Sequence, residues 1–302
     1  MLNNDFGRNA IKLNIDDGTF KVVDGVLIKC LATNKFCSDL KIPDGVIEIG
    51  YHAISSWYEK TMYIPKSVKI ISEDWINCAV RVTTIYIENP EVYLEAGCLK
   101  NLKQIKEIYI GGKKIDVLIT QGEEVHLEKY LGKDKSYRID DDVEIIGSYA
   151  FSCCENLERV EFSKSVKDID FCAFKDCSTL KEIIVDGSIF HIGGGGAFEG
   201  CKNLQKIVLN DSVTIIDDNA FKGCKLLQTV VLSKSLMYIW SNAFEDCINI
   251  KQLNIPPSIY SISPEAFKGW QRNQTIRIPK RFKKLRILQK WRKGCKAKIE
   301  YY

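Results

Sequence analysis

Apolar and polar residues alternate in short stretches that return at a nearly constant interval along the second half of the chain. One stretch places apolar side chains at Leu157, Val160 and Phe162. The same spacing recurs at Leu180, Ile183 and Val185, at Leu204, Ile207 and Leu209, and at Leu227, Val230 and Leu232. Alternation with a period of two predicts a β-strand whose apolar side chains point into a core. A second extended piece, such as Val143–Ile146, lies in each interval.

The dipeptide Ala-Phe marks one position in each interval. It occurs at Ala150-Phe151, Ala173-Phe174, Ala197-Phe198, Ala220-Phe221, Ala243-Phe244 and Ala266-Phe267, with steps of 23, 24, 23, 23 and 23 residues. Three residues after each Phe stand Cys154, Cys177, Cys201, Cys224, Cys247 and finally Trp270. Self-similarity at a fixed period is the signature of a stacked repeat architecture. A unit this short cannot bury its own apolar face, so neighbouring units must share a continuous core.

The repeated phrases resemble the BspA-type leucine-rich repeats. The phrases that carry the resemblance are IPDGVIEIG at 42–50, AFSCCENLERVEF at 150–162 and AFKGCKLLQTVVL at 220–232. The resemblance covers roughly residues 40–280 and is specific in 139–279. It implies an α/β-type repeat solenoid, a right-handed superhelix that is strand-rich, with parallel strands on one face and short turns or helical pieces on the other. Family members of this kind are mostly bacterial surface proteins implicated in adhesion, and they share no catalytic residues.

The repeat register divides the chain into five regions. The position in the middle of each predicted strand is occupied in turn by Lys41, Tyr63, Tyr86, Tyr109, Arg138, Glu161, Ile184, Val208, Val231, Asn254 and Arg277. All steps are 22 to 24 residues except the 29 between Tyr109 and Arg138, which indicates an interruption. We therefore predict a β-hairpin cap at 1–40, degenerate repeats at 41–110, a joint at 111–137, regular repeats at 138–279, and a basic cap helix with a closing strand at 280–302.

Composition indicates where the protein is located and in which state its cysteines are held. The net charge is only +4, and no run of apolar residues in 1–10 could serve as the core of an export signal. We expect a cytoplasmic protein, or a surface or secreted one if an export signal has been removed. Twelve cysteines could form a disulfide framework. Most of them follow the repeat, which instead predicts reduced thiols packed in the core.

Candidate catalytic and metal-binding patterns are weak. The three histidines, His52, His126 and His191, lie far apart, and no zinc-ligand spacing occurs. A thiol dyad of His191 with Cys172 or Cys177 is conceivable, but all three fall at or beside repeat positions. The run of four glycines at 193–196 lacks the lysine of a phosphate-binding loop, and it coincides with the single 24-residue step, which indicates an inserted residue. We expect no enzyme activity, no cofactor and no metal.

The outward strand positions are the candidate binding residues. Tyr63, Tyr86 and Tyr109 recur at steps of 23 and should form one row on the exposed sheet face, where tyrosine is a favoured recognition residue. Ile184, Val208 and Val231 should form a second, apolar row. The alternative for both rows is that aromatic and aliphatic residues simply favour strands.

The segment 280–298 contains ten basic residues and no acidic one, so the rest of the chain is net acidic. The main hypothesis is a binding scaffold for a protein partner, or alternatively for a glycan. A surface adhesion or structural module is the second hypothesis. Anion binding through the basic C-terminus is the third, although we do not expect a nucleic-acid partner or a membrane span.

Overall fold

The chain folds into two compact units, Met1–Asp116 and Val117–Tyr302. The computed structural model describes residues 15–16, 20–30, 41–55, 57, 59–77, 81–102, 104–121, 123–284 and 291–302. The predicted cysteine position at Cys78 and the predicted helix positions Leu285 and Leu288 lie outside these described residues.

The first unit consists of short strands. They are β1 (Ile15–Asp16), β2 (Phe20–Val23), β3 (Val26–Cys30), β4 (Glu48–Ile49), β5 (Thr61–Ile64), β6 (Ile70–Ile71), β7 (Thr84–Ile87), β8 (Tyr93–Leu94), β9 (Glu107–Ile110) and β10 (Lys113–Ile115). Two sheets result, one in the order β1-β2-β3-β4-β6-β8 and one in the order β10-β9-β7-β5. Strands one repeat apart pair in parallel, whereas β2 and β3 form an antiparallel hairpin around Asp24-Gly25.

The second unit continues the same alternation of longer and two-residue strands. They are β11 (Val117–Gln121), β12 (Val125–Tyr130), β13 (Ser136–Arg138), β14 (Ile145–Ile146), β15 (Arg159–Glu161), β16 (Asp168–Ile169), β17 (Glu182–Val185), β18 (His191–Ile192), β19 (Lys206–Leu209), β20 (Ile215–Ile216), β21 (Thr229–Val231), β22 (Tyr238–Ile239), β23 (Gln252–Asn254), β24 (Ser261–Ile262), β25 (Thr275–Ile278) and β26 (Lys298–Tyr301), with the helix α1 (Arg281–Lys284) before β26.

The predicted strand-rich solenoid with parallel strands is confirmed in this unit. One face carries the sheet β13-β15-β17-β19-β21 and the sheet β23-β25-β26, and the opposite face carries β11-β12-β14-β16 and β18-β20-β22-β24. After the longer strands β11 and β12, the opposite face is built from two-residue strands and turns. Within the described residues, the only α-helix is the four-residue α1, which lies outside the repeats.

The Ala-Phe column forms the centre of the core, as predicted. All six phenylalanines are fully buried, and consecutive rings stack with centroids 4.6, 4.9, 5.5, 5.4 and 5.8 Å apart from Phe151 to Phe267. The stacking distance matches the separation of neighbouring strands, because each repeat contributes one ring at the same height.

The turn around each Ala-Phe pair depends on two left-handed residues. The residue before Ala has φ near +57° at Asn219 and Asn242, and a second such residue follows two positions after Phe, as at Asp246. Asparagine, aspartate and glycine adopt this conformation at the lowest cost. Gly196 takes the first position in its own repeat with φ of +80°, and Gly193 and Gly195 are also left-handed. The interpretation of the glycine run as an accommodated insertion is therefore confirmed.

The residues that follow the last five core phenylalanines alternate in charge, and we call them the charge ladder. Its members are Lys175, Glu199, Lys222, Glu245 and Lys268. Lys175 lies 2.6 Å from Glu199, and Glu245 lies 3.0 Å from Lys222 and 2.9 Å from Lys268. The side chain of Glu245 is only 8% exposed, so its charge is held by two lysines away from most of the solvent. The charge ladder was not predicted from the sequence.

The start of the second unit and the end of the chain depart from the repeat pattern. β11 and β12 form an antiparallel hairpin, and β12 then pairs in parallel with β14. Lys129 in β12 is buried and donates hydrogen bonds to the Tyr149 carbonyl oxygen at 2.6 Å and to Ser152 Oγ at 3.2 Å. At the other end, β26 pairs with β25, and Phe282 and Trp291 are both buried against the core.

Candidate binding surface

The predicted tyrosine row exists as a continuous stack on the sheet of the first unit. Strand pairing places Tyr63 opposite Tyr86 and Tyr86 opposite Tyr109. The Tyr63 and Tyr86 ring centroids are 5.0 Å apart with planes inclined by 8°, and those of Tyr86 and Tyr109 are 4.7 Å apart with planes inclined by 14°. We call these three side chains the tyrosine strip.

The tyrosine strip points away from the core because strand alternation sends its neighbours inward. Met62, Ile64, Ile85 and Ile87 are buried, whereas Tyr63 is 50% exposed. Tyr86 and Tyr109 are partly exposed, and Ile110 at the end of β9 is only partly buried. The predicted register is thus confirmed, while the binding role of the strip stays a prediction.

A polar row borders the tyrosine strip on the same sheet face. It consists of Thr61, Thr84 and Glu107, which precede the tyrosines by two residues and pair with one another across the strands. An aromatic centre beside a polar border is the usual arrangement of a protein-binding surface. Burial raises the pKa of Tyr86, and charge interactions with Tyr109, Tyr63 and Glu107 raise it further, so its phenol stays protonated and can donate a hydrogen bond.

The antiparallel strand β10 adds a cation to one end of the strip. Lys114 pairs with Tyr109, and its ammonium lies 6.0 Å from the Tyr109 ring centroid and 2.6 Å from the Glu107 carboxylate. The hydrogen bond with Glu107 raises the pKa of Lys114. Sequence analysis missed Lys114 because β10 lies outside the 23-residue register.

The predicted aliphatic row lies on the sheet of the second unit. Ile184, Val208 and Val231 pair in register across β17, β19 and β21, with Ile184 37% and Val231 48% exposed. Glu161 continues the row on the strand before Ile184. A shallow depression of about 160 Å³ opens here, lined by Arg159, Val160, Glu161, Phe162, Glu182, Ile184 and Asp186. The tyrosine strip and the aliphatic row belong to different units, so we treat them as separate surfaces.

A comparison with models of protein families shows to which family this sequence is related. The model of the BspA type leucine rich repeat region matches in six copies, over residues 29–118, 130–195 and 193–288. The chain belongs to the BspA-type leucine-rich repeat family. The matched ranges include the degenerate first half, where the family pattern is weakest in the sequence.

The chain is similar to several solved structures, some of which are described as leucine-rich repeat proteins. A leucine rich cell surface protein from Faecalibacterium prausnitzii is 17% identical, with 96% of the BspA-type chain and 94% of that protein covered and a TM-score of 0.47. A leucine-rich repeat protein from Eubacterium ventriosum is 17% identical, with coverage of 76% and 82% and a TM-score of 0.46. The pneumococcal vaccine antigen PcpA is 16% identical, with coverage of 89% and 82% and a TM-score of 0.43. No curated protein matches the sequence.

Both cysteines of the candidate thiol dyad in this BspA-type chain, Cys172 and Cys177, are buried. The Cys177 thiol donates to the Phe151 carbonyl oxygen at 2.9 Å, and the Cys172 thiol donates to the Gly195 carbonyl oxygen at 3.4 Å. In the part of the chain that the structure describes, no three His, Cys, Asp or Glu side chains are grouped to hold a metal ion. Within the same residues, no helix has the length and apolar character needed to cross a bilayer.

The cysteine ladder, Cys154 with Cys177, Cys201, Cys224 and Cys247, has a specific hydrogen-bonding role. The last three thiols donate to the carbonyl oxygens of Phe174, Phe198 and Phe221 at 3.1 to 3.2 Å. Trp270 replaces the thiol in the last repeat and donates its indole N–H to the Phe244 carbonyl oxygen at 2.9 Å. These rungs therefore share a buried side chain that carries a hydrogen-bond donor, which cysteine supplies in the inner repeats and tryptophan in the last one.

Burial makes the ladder thiols poor nucleophiles. It raises the pKa of Cys201 and raises that of Cys224 well above the usual range, so the reactive thiolate is disfavoured. We expect brief treatment of the native protein with iodoacetamide at pH 8 to label the exposed Cys153 first. The buried Cys201, Cys224 and Cys247 should be labelled later. Peptide mass mapping measures the order of labelling.

The same protein after denaturation should titrate close to twelve free thiols, and a reductant should leave the melting temperature nearly unchanged. Early labelling of the ladder cysteines, or several of them already oxidised in freshly isolated protein, would contradict the packing role.

Proposed function

We propose that this BspA-type chain is a non-enzymatic scaffold that binds a protein partner through the tyrosine strip. The observation that carries the proposal is the in-register stack of three outward phenols, of which Tyr63 is half exposed. Tyrosine offers a large contact area with only two side-chain torsions to immobilise, so little conformational entropy is lost on binding.

The arrangement favours a partner that lies across the strands. Three rings at strand spacing cover roughly 10 Å. The rings hold one another in place, so the surface is organised before the partner arrives, which lowers the entropic cost of association. Thr61, Thr84 and Glu107 supply hydrogen-bonding groups along one border, and Lys114 supplies a charged end.

The triple variant Tyr63→Ser, Tyr86→Ser, Tyr109→Ser tests the proposal. We expect it to unfold cooperatively, because the buried neighbours of each tyrosine are unchanged. Partner binding should weaken at least tenfold, which corresponds to about 1.4 kcal/mol. The partner is first captured from the native organism with the intact chain as bait, and its Kd is then measured with purified proteins by calorimetry.

A matched control replaces Glu161, Asn254 and Arg277, which occupy the equivalent strand positions of the second unit, with serine. This variant should bind almost as tightly as the parent chain. An unchanged Kd for a well-folded tyrosine variant would refute the proposed role of the strip.

A further inference from the structure

A second exposed aromatic surface lies on the two-residue strands of the second unit, on the face opposite the aliphatic row. It consists of Phe190, Met237, Tyr238, Trp240 and Tyr260, and we call it the tryptophan patch. Tyr260 is 68%, Phe190 57%, Trp240 40% and Met237 39% exposed. Large side chains clustered in this way mark an interaction site more often than isolated ones do.

The backbone holds the patch on consecutive parallel rungs. The Thr214 amide donates to the Phe190 carbonyl oxygen at 2.9 Å, the Met237 amide to the Thr214 oxygen at 2.8 Å, and the Tyr260 amide to the Met237 oxygen at 2.7 Å. The Tyr238 ring stacks on Trp240 with centroids 5.8 Å apart and meets Tyr260 edge-on at 5.7 Å. The aromatic side chains are therefore ordered relative to one another.

The large apolar side chain at the Phe190 position is not shared by the two preceding repeats. In the two preceding repeats the positions equivalent to Phe190 are Glu144 and Lys167, which form an ion pair at 3.0 Å. The backbone of this face therefore accepts charged side chains equally well. Strand propensity alone does not explain the change to Phe190, Met237 and Tyr260.

Carboxylates without counterions border the tryptophan patch. Asp217 follows Ile216 on the rung next to Trp240, with Asp218 beside it and Asp168 two rungs away. Among the described residues, none of these three carboxylates forms an ion pair, whereas Glu144, Glu158, Glu182, Glu199 and Glu245 each have a lysine partner. Burial raises the pKa of Asp217, the neighbouring His191 lowers it, and Asp218 and Asp168 raise it further. The patch thus combines aromatic faces with carboxylates that form no ion pair among the described residues.

We propose that the tryptophan patch binds an extended, arginine-bearing peptide segment. A guanidinium stacks on indole and phenol faces and donates in parallel to a carboxylate, so Trp240 and Asp217 on adjacent rungs match its two modes of contact. Lysine provides the charge without the planar fork and should bind less tightly. This surface is independent of the tyrosine strip, which lies in the other unit.

The probe is the synthetic peptide Gly-Arg-Gly-Arg-Gly-Arg, whose arginines share one side when the chain is extended. Calorimetric titration into the intact protein should give binding at least tenfold tighter than the matching lysine peptide, and no binding of the matching glutamate peptide. Trp240→Ala and Asp217→Asn should each weaken binding of the arginine peptide at least tenfold. Trp240 is 40% exposed and Asp217 is partly exposed, so each variant should keep the melting temperature of the parent within a few degrees.

Two controls make the same chemical changes away from the patch. Leu226→Ala removes an exposed apolar side chain, and Asp211→Asn removes a carboxylate that lies 3.7 Å from Lys234. Both should bind the arginine peptide within twofold of the parent. Absence of binding to the parent would overturn the proposal. Equal affinity for the lysine peptide, or full binding by folded Trp240→Ala and Asp217→Asn, would overturn it as well.

Discussion

Replacing Phe198 with alanine is expected to lower the free energy of unfolding by about 3–5 kcal/mol. The Phe198 ring is fully buried between Phe174, at 4.9 Å, and Phe221, at 5.5 Å. Its removal leaves a cavity and deprives both neighbouring rings of a stacking partner. Each repeat is stabilised through interfaces with its neighbours, so amide protection should also fall in the repeats on either side. Chemical denaturation and hydrogen exchange measure the two effects.

The matched control for this change is Phe190→Ala in the same repeat. Phe190 is 57% exposed, so its loss should alter stability by less than about 1 kcal/mol. If Phe198→Ala unfolded within a degree or two of the parent, the Ala-Phe column would not be the centre of the core.

Reversing the charge of Glu245 is expected to have the second-largest effect. The variant Glu245→Lys places a third lysine between Lys222 and Lys268 and removes both ion pairs. We expect a loss of about 3 kcal/mol, the lower end for a broken buried pair, because the lysine ends are partly exposed. Thermal and denaturant unfolding of the purified variant measure it.

Acid sensitivity gives this prediction a second test. Burial by itself raises the pKa of Glu245, but its hydrogen bonds and charge interactions with Lys268 and Lys222 outweigh burial and lower the pKa. A carboxyl whose pKa is lower in the folded state adds stability at neutral pH and loses it as the pH falls through that value. Glu245→Gln should therefore lose stability at pH 7 and lose less than the parent on acidification.

An exposed pair serves as the comparison for Glu245. Glu161 lies 3.3 Å from Arg159, and both side chains are more than half exposed. Glu161→Lys should change the melting temperature only slightly, since exposed ion pairs contribute little. If it destabilised the chain as much as Glu245→Lys, burial would not explain the strength of the charge ladder.

The sequence was sufficient to predict the core and the strand register because one constraint repeats many times. Phe198 and its counterparts occur every 23 or 24 residues, and only stacked parallel rungs can bury them all. The outward direction of Tyr63 and Tyr86 followed from Met62, Ile64, Ile85 and Ile87, since strand alternation leaves no other choice.

Other features depend on contacts that a single column of residues does not encode. The second extended piece of each unit was predicted from the sequence, and β14 (Ile145–Ile146) lies in the piece at Val143–Ile146. Two residues are too few to show a period, so the sequence did not decide between turns and helical pieces for the rest of the opposite face. The tryptophan patch was missed because Phe190, Tyr238 and Trp240 occupy different positions of the repeat, so no single column of the sequence displays them. Lys114 was missed because an antiparallel strand returns it to Tyr109. The charge ladder was present in the sequence, immediately after each Phe from Phe174 to Phe267, and inspection of that column would have found it.

The charge ladder also restricts how an array of this kind can change in length. Genes that encode tandem repeats gain and lose whole units by recombination between similar segments. Loss of one internal unit would set Glu199 against Glu245, or Lys222 against Lys268, and so create a like-charge contact beside the core. Loss of two consecutive units restores a glutamate next to a lysine. The alternating order therefore means that duplication or deletion of two consecutive repeats preserves the contacts between opposite charges. Gain or loss of a single repeat does not preserve them.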